Sequence, residues 1–316
     1  MHKDTWFLVG LLGSATIALL AGHLLFEATW YSAPETFESI VAIPLFAGLL
    51  LLGAGFFNRH RLRHLVTAAG WFVFGGYWAT QPGFLYVKEA GDIVNASLCI
   101  AGVYLLFYLG YHEYLSYRRK EDVQSLSFIA GATFVSGFFY FLIDQLQELS
   151  GLLIKIVAGQ TVWVMQQLGY DVVTGSIQYG ESVSVPVFFN GWPSVDIILA
   201  CTGLQSIMIF VGVIVALRNV DRERRLKAFA ATVPVIYGLN IIRNVGVIYG
   251  VEVLGASFYM MHNVVGKVGS LVALIILAYI AFEILPELYE NIMDLFDLPK
   301  RRGPVEQALH RMLRKR

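Results

Sequence analysis

TWFLVGLLGSATIALLAGHLLF, residues 5–26, contains no aspartate, glutamate, lysine or arginine. Wound as an α-helix it is about 33 Å long at about 1.5 Å per residue, enough to cross the roughly 30 Å hydrocarbon core of a bilayer. Uncharged, mostly apolar stretches of similar length recur at 39–57, 93–111 and 197–217. The whole chain follows suit: its 316 residues are 57% hydrophobic and 15% charged, with a mean hydropathy of +0.62, whereas a soluble domain carries about 25% charged residues. Lipid is therefore the solvent, and backbone polar groups there must be satisfied within the segment, which makes helices the expected element. The fold class that follows is an all-α polytopic membrane protein.

Apolar runs and their breakers predict about eight transmembrane helices, near 5–28, 38–57, 65–85, 93–114, 125–147, 195–217, 228–250 and 262–285. The first is too long for a signal-peptide core and lacks a clear cleavage site, so it reads as a retained helix. All but four of the 23 lysines and arginines fall in alternate connections: Lys3; Arg59, Arg61 and Arg63; Arg118, Arg119 and Lys120; Arg218, Arg222, Arg224, Arg225 and Lys227; and seven beyond residue 299. The exceptions are Lys88, Lys155, Arg243 and Lys267. The positive-inside rule then puts both termini in the cytoplasm of a multi-pass protein of the cell membrane. Residues 152–168 are also long and nearly uncharged, but counting them as a crossing would expose the five-charge connection to the outside. They are expected to lie at the outer interface. After them, 171–187 alternates valines with Ser, Thr and Gly and reads as a short β-hairpin turning at Gly175 or Gly180. Residues 149–194 would thus form a small extracytoplasmic cap within one membrane domain, and 286–316 a basic cytoplasmic tail attracted to anionic lipid. No repeat or low-complexity tract appears, and a net charge of zero gives no reason to expect nucleic acid.

Three reactive side chains fall at one predicted depth beneath the outer face: Cys201 one turn into its helix, Arg243 about two turns below the end of the next, and His262 opening the last. Taken alone, Cys201 is a small apolar residue for a helix interface. Thr202, Gln205 and Ser206 make its segment more polar than anchoring requires. An intramembrane arginine costs roughly 2.5–3.5 kcal/mol even on forgiving insertion scales and so needs a partner or a wet cavity. Snorkelling is the simpler account of Arg243, but Asn240 and Asn244 broaden the polar patch around it. His262 stands beside Asn263, where a polar residue at a helix end needs no further role.

Other chemistries lack their residues. No His-Glu-x-x-His zinc pattern is present, and His60 and His64 sit among arginines that repel a cation. A Gly-x-Ser-x-Gly elbow and a Gly-x-x-x-x-Gly-Lys loop are also missing. Two rival readings stay open: a transporter of a small solute or ion, in which Arg243 and Lys267 with acids such as Asp144 and Asp196 line a path, and a structural subunit without chemistry.

The blocks Ala200-Cys201-Thr202-Gly203-Leu204-Gln205-Ser206, Leu239-Asn240-Ile241-Ile242-Arg243-Asn244 and His262-Asn263-Val264-Val265-Gly266 resemble the three signature blocks of the exosortase/archaeosortase family, and the cysteine block most resembles its archaeosortase branch. The resemblance covers mainly 195–285, the catalytic helices it implies. It implies a cysteine transpeptidase with Cys201 as nucleophile, Arg243 as partner and His262 as third member, supported by Thr202, Gln205, Asn240, Asn244 and Asn263, with no metal and no cofactor. Its implied partners are secreted proteins ending in a Pro-Gly-Phe motif, an apolar helix and a basic tail, and a membrane lipid that accepts the new C-terminus through a thioester acyl-enzyme.

Overall fold

A computed structural model describes residues 3–88, 93–180 and 182–314. Seven of its helices are long and apolar enough to cross a membrane. The chain divides into two compact units, Met1–Phe134 with Glu290–Arg316, and Val135–Tyr289.

In the first unit α1 (Lys3–Thr29), α2 (Pro34–Phe57), α3 (Arg63–Ala79), α4 (Gln81–Lys88) and α5 (Ile93–Arg119) pack around Phe37, Leu49, Leu52 and Trp71. Small residues let the backbones touch: a side chain at Gly48 of α2 would stand 2.7 Å from the Phe74 nitrogen, and one at Gly70 of α3 would stand 2.9 Å from the Leu52 nitrogen. Such contacts replace the hydrophobic drive that lipid does not supply between helices. The predicted span 65–85 is divided between α3 and α4, separated at Thr80. His64 does not pair with His60; its Nδ1 meets Glu113 Oε2 at 2.7 Å, both side chains buried.

The C-terminal segment is folded into this unit. The 3₁₀ turn Leu298–Arg301 leads to α12 (Pro304–Arg314), which packs along α1 and carries an Arg311–Asp4 ion pair. Glu306 enters a socket on α5, where Tyr108 and Tyr111 donate hydroxyl protons to it at 2.8 and 3.2 Å and His112 Nε2 approaches at 3.2 Å. Arg301 donates to Glu121 at 2.6 Å and to Ser116 at 3.2 Å. The junction is tight enough that a side chain at Gly303 would collide with Tyr111, Leu115 and Glu306.

In the second unit, the latter part of α6 (Gln124–Gln145) leads to α7 (Gln147–Gln167), then to a three-stranded antiparallel sheet of β1 (Val172–Thr174), β2 (Ser184–Phe189) and β3 (Trp192–Ile198). Ile154, Ala158, Val162 and Met165 of α7 share one core with Val172, Val185, Val187 and Ile197 of the sheet. The helix α7 has the length and apolarity of a membrane span, and its buried face is the platform on which the sheet rests.

One expectation is extended here and one is corrected. The expected hairpin is formed by β1 and β2, antiparallel with Val172 opposite Phe189, and its connection runs through Gly175 and Gly180; a second hairpin, of β2 and β3, which the sequence reading leaves out, turns at Asn190-Gly191. Both turn residues have positive φ, 50° and 81°, the conformation that twists two strands into a two-residue hairpin and that Asn-Gly favours. The strand β3 then occupies the start of the predicted span 195–217, so the helix there is only α8 (Leu204–Ala216), thirteen residues long. A 3₁₀ turn, Leu199–Thr202, joins the two. The remaining helices are α9 (Arg222–Glu252), α10 (Lys267–Ile284), which a π-helical turn (Met260–Gly266) precedes, and α11 (Pro286–Phe296). Arg224, near the start of α9, donates bidentately to Glu287 at 2.7 and 2.8 Å and to the Ile284 carbonyl, securing the C-terminal end of α10.

Candidate active site

Cys201 lies in the 3₁₀ turn, not one turn into a helix. The physical reason is Gly203, whose left-handed φ of 74° interrupts the helix before it reaches the cysteine. That conformation is open to glycine and costly for other residues. Thr202, buried, stabilises the break on both sides: its hydroxyl donates to the Leu199 carbonyl at 2.7 Å and accepts the Leu204 N–H at 3.2 Å, capping the first turn of α8. Cys201 is itself 8% exposed, unpaired with the other cysteine, and packed in the core that α7 and the sheet build.

The turn is held from α9. Asn240 and Asn244 each donate a side-chain N–H to the Cys201 carbonyl, at 2.6 and 2.9 Å. Four residues apart, they occupy one face of α9, and Arg243 lies between them in sequence, one residue before Asn244. Asn240 also presses on the break itself, because a side chain at Gly203 would meet its Cβ at 3.0 Å.

Arg243 is half-buried, and its Nε is a buried donor with no hydrogen-bond acceptor among the described residues. It lies against the π-helical turn, where Gly266 leaves room: a side chain there would stand 3.1 Å from Nε. The same turn carries His262 and Asn263, both half-buried. His262 stacks on Phe258, ring centroids 5.0 Å apart and planes 11° from parallel, and lies within the electrostatic reach of Arg243 and Lys267. π-Helical turns insert an extra residue per turn and recur at functional sites. Cys201, Arg243 and His262 thus stand on three consecutive segments at one end of α8, α9 and α10, with the first two linked through the asparagine pair and the last two through Gly266.

Beside them a cavity of about 330 Å³ runs between α8, α9 and α10. Gly203, Ser206, Asn240 and Arg243 line it together with Gly266 and Ser270, and aliphatic residues such as Ile236 and Leu277 continue it away from the site. A cationic donor at the edge of an apolar cavity acts in a low dielectric, where its field on developing negative charge is strongest.

Of the sequence-predicted residues, Gln205 stands apart, exposed on the first turn of α8. Asp196 is exposed on β3, paired in register with Pro186, and so caps no helix. Among the described residues, no group of three His, Cys, Asp or Glu side chains is arranged to hold a metal ion. Sequence reasoning missed Gly203 and Gly266 as geometric determinants. The signal for the first was present in Thr202-Gly203 directly before an apolar run, a capping residue followed by a glycine. The second carries no signal beyond a glycine within a small-residue face.

Comparison with known proteins identifies relatives of the whole chain. The family described as transmembrane exosortase matches residues 30–279. Archaeosortase A of Haloferax volcanii is 28% identical over 283 residues, covering 78% of this chain and 89% of that protein. Archaeosortase A of Natronomonas pharaonis is 24% identical over 260 residues, covering 74% and 79%. No solved structure matches the chain significantly.

Proposed function

The chain belongs to the transmembrane exosortase family, and on that premise we propose that it is a membrane-embedded cysteine transpeptidase that removes a C-terminal sorting signal from secreted proteins and passes the new C-terminus to a lipid. The observation that carries this reading is the tie between Cys201 and α9: the residues that bond its carbonyl flank Arg243 in sequence, which sets the cysteine turn against the stretch of α9 whose arginine lines an apolar cavity.

Thiols attack as thiolates, which nearby positive charge and the N-terminal end of a helix both favour. In this scheme the Cys201 sulfur attacks the scissile carbonyl carbon and the resulting oxyanion is stabilised by Arg243. The C–N bond then breaks, His262 gives a proton to the departing amine, and a thioester remains on Cys201. A nucleophilic group on the acceptor lipid attacks that thioester, yields its proton to His262 and frees the sulfur. Thr202, Asn240 and Asn244 support the cysteine turn, and Gln205 and Asn263 are exposed or half-buried polar groups available to the substrate. The cycle uses no metal and no cofactor.

The placement of Lys and Arg favours cytoplasmic termini and an extracytoplasmic site, with α7 and the sheet as its cover. Exclusion of water by that cover would let the lipid compete for the thioester. The substrate signal of this reading is a Pro-Gly-Phe-type motif followed by an apolar helix and a basic tail.

The test is a reporter protein bearing such a C-terminus, incubated with the full chain in vesicles that contain lipid. Cleavage and lipid attachment are expected, with a hydroxylamine-labile reporter adduct on Cys201. A Cys201→Ala chain that folds and retains full activity sinks the proposal.

A further inference from the structure

We propose that Asn240 and Asn244 are positioning residues for Cys201, acting through its carbonyl, which the break at Gly203 leaves outside helix α8. The proposal rests on the reading of Cys201 as the nucleophile.

The backbone ladder of α8 reaches back to Gly203, whose carbonyl accepts the Ile207 N–H at 3.0 Å. Were the helix continuous, the Cys201 carbonyl would accept the N–H four residues on; the left-handed Gly203 prevents it. Thr202 takes the adjacent Leu204 N–H with its own hydroxyl. A buried carbonyl left without a donor is rare because its desolvation is uncompensated. Here both of its lone pairs are filled from outside the helix, one by Asn240 at 2.6 Å and one by Asn244 at 2.9 Å.

Two donors from one helix, four residues apart, converging on a single oxygen constrain the turn in more than one direction. The same bonds fix the register of α8 against α9. Slippage by one helical turn would move Arg243 by about 5.4 Å relative to the thiol, far outside the tolerance of a charge meant to meet an oxyanion. A pair serving only to bury polar groups could bond any carbonyl; this pair bonds that of the reactive residue, from the stretch of α9 that carries the reactive arginine. Aspartate is nearly the same shape as asparagine but offers no N–H, so it reverses the contact from attraction to repulsion.

The experiment compares the full chain with Asn240→Ala, Asn240→Asp, Asn244→Ala and Asn244→Asp in detergent and in vesicles. Alkylation of Cys201 and of Cys99 by an uncharged maleimide is followed separately by mass spectrometry, and kcat and KM are measured with the C-terminal reporter. Cys99, in the first unit, reports general loosening. Expected are a rise of at least tenfold in Cys201 alkylation for the alanine variants with Cys99 unchanged, a fall in kcat of about thirtyfold or more for all four, and KM within threefold. Alkylation and kcat within twofold of the parent in a folded variant overturn the proposal, as does a parallel rise at Cys99. Should the buried Asn244 variants fail to fold, half-buried Asn240 decides by the same measures. If instead Cys201→Ala retains activity, the nucleophile reading fails, and the alkylation rates alone still judge the clamp.

Discussion

A methyl group placed on Gly266 would stand 3.1 Å from Arg243 Nε and 3.1 Å from the Met261 carbonyl oxygen. The backbone there is ordinary helix, φ −65° and ψ −44°, so alanine meets no conformational penalty. Its cost is spatial, shared between a small give of the π-turn backbone at the Met261 carbonyl and a shift of the flexible arginine arm. Gly266→Ala is therefore expected to fold with a melting temperature within a few degrees of the parent while kcat/KM drops about ten- to a hundredfold, the size of loss that follows a small misplacement of a reacting group. Parent-like turnover in this variant would mean that the contact does not set the guanidinium's position.

Arg243→Lys separates charge from geometry. Lysine retains the cation, but it lacks the planar fork that can hold several contacts at once. If Arg243 merely reaches for the membrane surface, lysine should replace it with little effect. If it meets an oxyanion, turnover should fall about 10²–10³-fold, as when a prepositioned donor is removed from an acyl-transfer site. Single-turnover cleavage of the reporter, with circular dichroism as the check on folding, distinguishes the two.

Much of this was legible in the sequence, and the failures have physical causes. Uninterrupted apolarity located α1, α2, α5, α6, α9 and α10 because a bilayer leaves few alternatives. The stretch 195–203 failed because Val195, Ile197, Ile198 and Leu199 suit a strand as well as a helix; hydropathy does not see the difference. The hairpin of β1 and β2 was legible, but the second was missed, although Asn190-Gly191 between Phe189 and Trp192 is the stronger turn signal. At the site, the polar residues on α9 were visible as costs in lipid, but their convergence on one carbonyl depends on the left-handed Gly203. The socket for Glu306 joins residues about 195 apart in the chain, as in the Tyr111 contact, and no local pattern announces it.

Cys99 offers a contrast within the same chain. Its thiol donates to the Trp78 carbonyl at 3.3 Å, between α5 and α3, and it is 8% exposed. Its thiol meets a backbone carbonyl between two helices, whereas the Cys201 turn is held by two asparagines beside an arginine. Cys99→Ala should accordingly retain at least half of parent activity and lose on the order of 1 kcal/mol of stability, the scale of a small buried truncation with one weak hydrogen bond. Loss of reporter cleavage in a folded Cys99→Ala chain would show that the two cysteines cannot be assigned separate roles.

Glu306 makes the anchoring of the C-terminal helix depend on acid. Burial pushes its carboxyl up, yet the hydrogen bonds from His112 and Tyr108 outweigh burial and hold it down at about 2, against an ordinary 4.5. Arg301 donates toward His112 Nδ1 at 3.4 Å, so the tautomer that fits carries its proton on Nε2, facing Glu306. Because the folded value is depressed, the carboxylate's contribution is fully present above about 4.5, fades as the pH falls toward 2, and is gone below it. Cleavage of α12 by an acid-tolerant protease should therefore be slow at pH 5 and accelerate between pH 4.5 and 2. In Glu306→Gln the charge that three donors address is absent, and an amide group faces them; the tail should already be cut quickly at pH 5, with little further change on acidification. A resistant tail in that variant, or an acid response equal to the parent's, would place the anchor elsewhere, with Arg301 and its bond to Glu121 the next contact to remove.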